Sequence, residues 1–453
     1  MKEYLVQRRR RVAEKLSLGD DILVVGAGEH LSIPGGADQT YKFIPHSEYR
    51  YLADRAVPSA VVAYDANGGW VDFLPPVTEA ERIWEGREPV EWTDARPLTE
   101  LPAWIAARRG RRVVNLGSGV KEAELSRGDT GWKPVPQEEV PQGEGPQRTV
   151  PQGVAGEARV AEVREMLMQA RRCKDDVEMA RIRKAVSATV FGFKKARETI
   201  AVGATERRIQ VEMEAEFYRR GADRTGYGTI VGSGPNSAIL HFDPSAREVR
   251  AGELVLIDAG AEIEGYTADV TRTYAAEGPP QGFAGELYGV VLRAQIAAIK
   301  RCTAGAEFRE IHMAAARDMA QGMVEIGVLK GNAAELVDRD AHAMFFPHGL
   351  GHLVGLGVRD ASGYLPGRER STRFGLAYLR IDMPLQANYV VTIEPGLYFI
   401  PAILQDPERR KTFADAVNWP LVDKNMQLGG VRIEDDVLVT NGPPEVLTKE
   451  VGK

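Results

Sequence analysis

Glu253-Leu254-Val255-Leu256-Ile257-Asp258-Ala259-Gly260 is followed, after a short turn region, by Gly265-Tyr266-Thr267-Ala268-Asp269-Val270-Thr271-Arg272-Thr273-Tyr274. Each half is rich in β-branched and aliphatic residues and reads as a strand, and each carries one aspartate inside it. An unpaired carboxylate in an apolar interior is strongly unfavourable, so such a strand needs something to compensate it. The two aspartates lie symmetrically about the Ile263–Glu264 bond. Folding back there sets Asp258 and Asp269 directly opposite each other, with Cβ atoms about 4.5–5.5 Å apart. Like charges that close repel unless a cation lies between them. The hairpin therefore reads as half of a metal site.

The surrounding chain is long enough for more than one domain: 453 residues, 43% hydrophobic and 27% charged. A net charge of -6 gives no electrostatic reason to bind nucleic acid or an anionic membrane. No apolar run approaches the roughly 20 residues that span a bilayer. The basic residues Arg8 to Arg11 have no apolar segment behind them, which argues against a secretory signal. Cys173 and Cys302 cannot build a disulfide framework, which fits a reducing compartment and a cytoplasmic location.

Residues 1–165 alternate helical and strand patterns (Tyr4 to Leu16 helical; Asp21 to Gly26, Ser59 to Tyr64, Trp70 to Leu74 and Arg112 to Leu116 as strands), the signature of an α/β domain. Gly26-Ala27-Gly28 lacks the third glycine and the following helix of a nucleotide-binding turn. A Pro/Gln-rich insertion near 132–155 has too few apolar residues to bury and reads as an exposed loop. A second domain, 174–453, opens on two helices. Ile182, Val186, Val190 and Phe193, then Ile209, Met213 and Phe217, recur at helical spacing. Strand-rich segments follow, giving an α+β domain.

Three further stretches offer donors. Pro347-His348-Gly349-Leu350-Gly351-His352 carries two histidines at i, i+4, but its glycines favour a loop over a helix. Tyr389-Val390-Val391-Thr392-Ile393-Glu394 is an apolar strand ended by a carboxylate and stopped by Pro395-Gly396. In Gly429 to Val439, period-two geometry puts Arg432 and Glu434 on one face and Val431, Ile433 and Asp435 on the other. Singly, each acid reads equally well as a salt-bridged or surface carboxylate. Together, Asp258, Asp269, Glu394, Glu434 and a histidine form a hard, oxygen-rich set suited to Mn²⁺, Fe²⁺, Co²⁺ or Zn²⁺. So many anionic ligands suit two ions about 3.5–4 Å apart, which bridge and activate a hydroxide for hydrolysis.

The order Asp258, Asp269, His352, Glu394, Glu434 and its flanking motifs resemble the pita-bread metallopeptidases, in the Xaa-Pro aminopeptidase and prolidase branch. The motifs are 256–260, 268–273, 348–352, 392–398 and 430–436, and the likeness runs from about residue 174 to the end. It extends weakly to Pro45 to Tyr51 and Arg82 to Arg87 in the N-terminal, non-catalytic domain. The resemblance implies that these five residues bind two metal ions, most readily Mn²⁺, with Asp269 and Glu434 bridging. It implies that Glu394 also shuttles a proton to the leaving proline nitrogen, that His241 stabilises substrate and intermediate, and that His348 supports the site. Arg432 would orient ligands or substrate, with Tyr227 and Tyr398 nearby. Arg380 stands where prolidases place an arginine that receives the substrate carboxylate. The implied protein is a homodimer acting on proline-containing di- or oligopeptides.

One departure concerns substrate. The family's usual Val-His-Asp triplet is Val358-Arg359-Asp360 here, and arginine stays cationic where imidazole exchanges protons. The segment Phe399 to Leu404, between Glu394 and Glu434, resembles prolidases and inclines the reading toward a dipeptidase. The alternative is a catalytically silent pita-bread peptide- or protein-binding module, but such proteins lose metal ligands and none is lost here. Methionine aminopeptidase lacks the extra N-terminal domain, and creatinase lacks the full ligand set.

Overall fold

The computed structural model describes residues 1–36, 39–88, 94–118, 120 and 153–453. The Pro/Gln-rich insertion lies outside them up to residue 152. Two compact units divide the chain, Met1–Arg171 and Arg172–Lys453.

In the first unit, β1 (Ile22–Ala27), β2 (Val61–Asp65), β3 (Gly69–Leu74), β4 (Ala95–Pro97) and β5 (Val113–Ser118) form one sheet in the order β4-β3-β2-β1-β5. β1 runs antiparallel to β2 and parallel to β5, so the sheet is mixed. Every residue of β1 is buried. That explains its unbroken apolar run, because a central strand covered on both faces has no polar side to show. Ile22 and Val24 pack with Val61, Ala63, Phe73 and Trp104.

The second unit opens on the helix Asp176–Thr199, whose Asp175 cap and Glu178 form a reciprocal capping box. The helix Glu206–Arg219 follows from a Thr205 cap. They pack where a Cβ on Gly192 would sit 2.1 Å from the Phe217 ring, and Ile209, Met213 and Phe217 are fully buried. The strands are β6 (Arg224–Thr225), β7 (Ile230–Ser233), β8 (Leu254–Ala259), β9 (Ala261–Ile263), β10 (Tyr266–Thr267), β11 (Val270–Ala275), β12 (Val390–Ile393), β13 (Gly396–Tyr398), β14 (Gly430–Arg432), β15 (Asp435–Leu438) and β16 (Glu445–Val446). They pair as β11-β8-β7, β10-β9-β6, β12-β15-β16 and β13-β14. The helices Gly282–Arg301 and Phe308–Glu325 cover them, burying Val290, Ala294, Met319 and Met323 with Leu397, Val431 and Ile433. Among the described residues, no helix is long and apolar enough to cross a membrane.

Two expectations need correction. Asp258 does not face Asp269; it pairs with Thr271. Ile263 pairs with Tyr266, so the chain reverses at Glu264 and Gly265, one residue later than expected. Both residues have positive φ (53° and 87°), the conformation a tight hairpin turn demands. Asp269 thus sits diagonally across from Asp258, on the same face of the sheet. The hairpin is also broken at Gly260, where a Cβ would lie 1.7 Å from the Ala268 carbonyl oxygen. Likewise, 429–439 is two strands rather than one. Pro395 cannot donate to a ladder, and the Glu434 N–H turns instead to the Thr271 carbonyl at 3.0 Å.

Candidate metal centre

Five chain segments converge on one cavity of about 740 Å³. Asp258 comes from β8 and Asp269 from the residue before β11. Glu394 follows β12, Glu434 lies between β14 and β15, and His352 ends the glycine-rich loop after Phe346. All five line the cavity. Donor atoms of Asp269, His352 and Glu434 lie within 4.8 Å of one another. Gly351 lets that loop approach β12 closely, since a Cβ there would sit 1.9 Å from the Thr392 carbonyl oxygen. The Thr392 hydroxyl accepts from the His352 N–H at 3.0 Å.

The imidazole is oriented for ligation. His352 Nδ1 lies 3.2 Å from the Leu353 carbonyl oxygen, which can only accept, so Nδ1 carries the proton. Nε2 then offers its lone pair toward Asp269 (3.4 Å) and Glu394 (3.7 Å). Burial, and next the positive charge of Arg380, push the pKa of His352 down to about 3, keeping the ring neutral.

The carboxylates show the opposite stress. Asp269 is held well above the usual carboxylate range by burial, then by Asp258 and Asp436. Glu434 is raised by burial and then by Asp269, and Glu394 by burial. The Tyr227 hydroxyl lies 2.7 Å from Asp258 Oδ1 and 2.5 Å from Asp269 Oδ1, but it has one proton to donate. Mutual repulsion among buried acids facing a neutral imidazole nitrogen fits a site built for divalent cations.

Arg432 braces the group. It donates from Nη2 to Asp258 (2.7 Å), from Nε to the Thr271 hydroxyl (3.0 Å) and from Nη1 to the Tyr398 hydroxyl (2.9 Å). Thr271 in turn donates to Glu434 Oε2 at 2.6 Å. His348 Nδ1 lies 2.8 Å from the Gly349 carbonyl oxygen, so its Nε2 accepts from Tyr398 at 2.9 Å. The three neighbouring acids therefore divide. Glu434 faces the cavity, Asp435 pairs with buried Arg272 at 2.8 Å, and Asp436 accepts from the Asp269 N–H at 3.0 Å.

Tyr227, His241, His348, Arg359, Arg380 and Arg432 also line the cavity. Tyr398, expected near substrate, is fully buried outside the lining and reaches the site through Arg432 and His348. Residues that sequence reasoning passed over include Thr271 and the outer wall of Phe374, Tyr378 and Arg409. Thr271 lies two residues from Asp269 and shares its face, a signal that period two carries. The outer wall comes from irregular segments and a short helix, with no local pattern to announce it.

Residues 180–441 match the model of metallopeptidase family M24. The chain is 30% identical over 451 residues to the Xaa-Pro aminopeptidase of Escherichia coli (strain K12), covering 99% of this chain and 94% of that one. It is 36% identical over 284 residues to the Xaa-Pro dipeptidase of Shewanella amazonensis, 62% of this chain and 63% of that one. Among solved structures, aminopeptidase PepP of Pseudomonas aeruginosa superposes with a TM-score of 0.76 at 26% identity, covering 100% of this chain and 96% of that one. A zinc-substituted E. coli aminopeptidase P in complex with product gives 0.76 at 26% identity, over 99% and 95%.

Proposed function

This chain belongs to metallopeptidase family M24, and from that premise we propose that it is a two-metal exopeptidase hydrolysing the bond between an N-terminal residue and proline. The observation that carries the reading is the convergence of Asp258, Asp269, His352, Glu394 and Glu434 on one cavity, with the His352 lone pair turned toward the acids. These five residues would hold the ions, with Asp269 and Glu434 as shared ligands. The hard donor set favours Mn²⁺, with Co²⁺, Zn²⁺ and Fe²⁺ as substitutes. Two such ions supply Lewis acidity, activating water and polarising the scissile carbonyl.

The chain's own residues do the rest. Glu394, its pKa raised by burial, takes the proton that the attacking water gives up and passes it from its carboxylate to the proline nitrogen as that nitrogen leaves. His241, at the cavity wall with its pKa lowered by partial desolvation and the charges of Arg380 and Arg359, donates from its neutral ring to the developing oxyanion. His348 and Tyr398 hold Arg432, and Arg432 holds Asp258. The substrates are proline-containing peptides, with dipeptides favoured. Two cysteines in the chain and the absence of a spanning helix among the described residues support a cytoplasmic setting, and the family resemblance supports a homodimer.

The test is hydrolysis of Xaa-Pro peptides by protein stripped with a chelator and reloaded with Mn²⁺, Co²⁺ or Zn²⁺. Recovery with none of the three overturns the reading. Comparing Ala-Pro with Ala-Pro-Ala decides the finer point, because a tripeptide preferred by about tenfold or more rules out a dipeptidase.

A further inference from the structure

Beside the acids, the cavity lining carries two arginines. Arg380 Nη1 stands 3.5 Å from Glu394 Oε1, within ion-pair range but long for a hydrogen bond. The Arg359 guanidinium lines the same cavity and, among the described residues, has no hydrogen-bond or ion-pair partner. Both arginines line the cavity, and burial, then the nearby charge of Arg380, lowers the pKa of Arg359, so the two like charges act on each other. His241 feels both. Two guanidiniums with unspent donors on one wall repel each other, and an anion between them relieves that repulsion.

Position says which anion. Arg380 reaches Glu394, the residue assigned to the proton at the scissile bond. One residue of chain spans at most about 3.6 Å, so a guanidinium this close to Glu394 stands within reach of the group one residue beyond the scissile carbonyl, and Arg359 lines the same cavity. In a Xaa-Pro dipeptide that group is the terminal carboxylate. In a longer peptide it is a neutral amide carbonyl. Arg380 alone is what the resemblance to prolidases leads one to expect; Arg359 is this chain's own, in place of the family's imidazole. A planar, permanently charged fork binds a carboxylate through paired hydrogen bonds, as an imidazole cannot.

We propose that Arg359 is a specificity-determining residue which, with Arg380, clamps the C-terminal carboxylate of a Xaa-Pro dipeptide and so selects free dipeptides over longer or capped ones. This rests on the exopeptidase reading above and names the substrate class of that same site.

The experiment compares Ala-Pro with Ala-Pro amide, which lacks only the anionic terminus, on full-length metal-loaded protein. Native protein, Arg359→Ala and Arg359→Lys are assayed. Native protein prefers the free acid in kcat/KM by about tenfold to a hundredfold. Arg359→Ala brings the two substrates within about threefold through the KM of the acid, and Arg359→Lys retains an intermediate preference. Calorimetric titration with proline and prolinamide gives the same ordering without turnover. Equal use of acid and amide by native protein overturns the proposal, as does a preference that survives unchanged in Arg359→Ala. If neither peptide is hydrolysed yet proline outbinds prolinamide only when Arg359 is present, the exopeptidase reading fails and the clamp stands.

Discussion

Arg432 Nη2 lies 2.7 Å from Asp258 Oδ2, both groups shielded from water. The same guanidinium holds Thr271 and Tyr398, so one side chain fixes residues on β8, β11 and β13. Lysine keeps the charge but has no fork with which to make all three bonds. Arg432→Lys is expected to lower kcat or metal affinity by about 10–100-fold, read by steady-state kinetics and metal titration. Wild-type values in both would show that the brace is dispensable.

The Tyr227 hydroxyl between Asp258 and Asp269 partly relieves their repulsion, a task that bound cations would take over. Tyr227→Phe should therefore destabilise metal-free protein by about 1–3 kcal/mol and the metal-loaded form by less. Denaturant melts with and without Mn²⁺ measure the difference. Equal loss in both forms would mean that the hydroxyl stabilises the fold independently of bound cations and does not relieve the repulsion they would relieve.

Burial and mutual repulsion raise the pKa of Asp269, Glu434 and Glu394, so the metal-free site retains protons that ligation must displace. Metal affinity should weaken as pH falls. Titration calorimetry at pH 6 in two buffers of different ionisation enthalpy should give different apparent enthalpies. Identical enthalpies would mean that no proton leaves.

A separate pH response comes from His312 and His342. Burial brings both to about 4, from the usual 6.5. His312 donates from Nε2 to the Gly375 carbonyl oxygen at 2.9 Å, with Arg309 as its charged neighbour. His342 lies near His312, Asp340 and Arg373. Folded pKa values below the unfolded ones mean that the unfolded chain binds more protons between pH 6.5 and 4. Stability is therefore full above pH 6.5 and falls across that window, by about 3 kcal/mol per histidine at most. Chemical denaturation from pH 7.5 to 4.5 should show the decline, and His342→Phe should flatten part of it. A slope unchanged by that substitution assigns the acid sensitivity elsewhere.

The acids that meet at the cavity, Asp258, Asp269, Glu394 and Glu434, are legible in sequence because each interrupts or ends an apolar strand. The register is not. Glu264 in a left-handed conformation gives no sign of itself, unlike Asn or Gly, so sequence symmetry centres the turn one residue early and sets Asp258 against Asp269 where the structure pairs it with Thr271. The division of 429–439 was hidden for a related reason. Its break is imposed by Pro395 and Thr271, distant in sequence, while its own composition reads as one strand. Arg409 stacks over Phe374 at 4.5 Å through tertiary placement alone, which no local period records.

The five proposed ligands stand on strands, beside strand ends or on a loop pinned to β12, whereas His241, Arg359 and Arg380 sit on irregular connections. Tolerance to change is thus unevenly distributed. A substitution among the strand-borne acids disturbs paired backbones and several partners together, but the loops can be rewritten one residue at a time. On the clamp proposed above, a single residue on a connection, Arg359, sets which peptides are chosen without touching the strand-borne cluster beneath it.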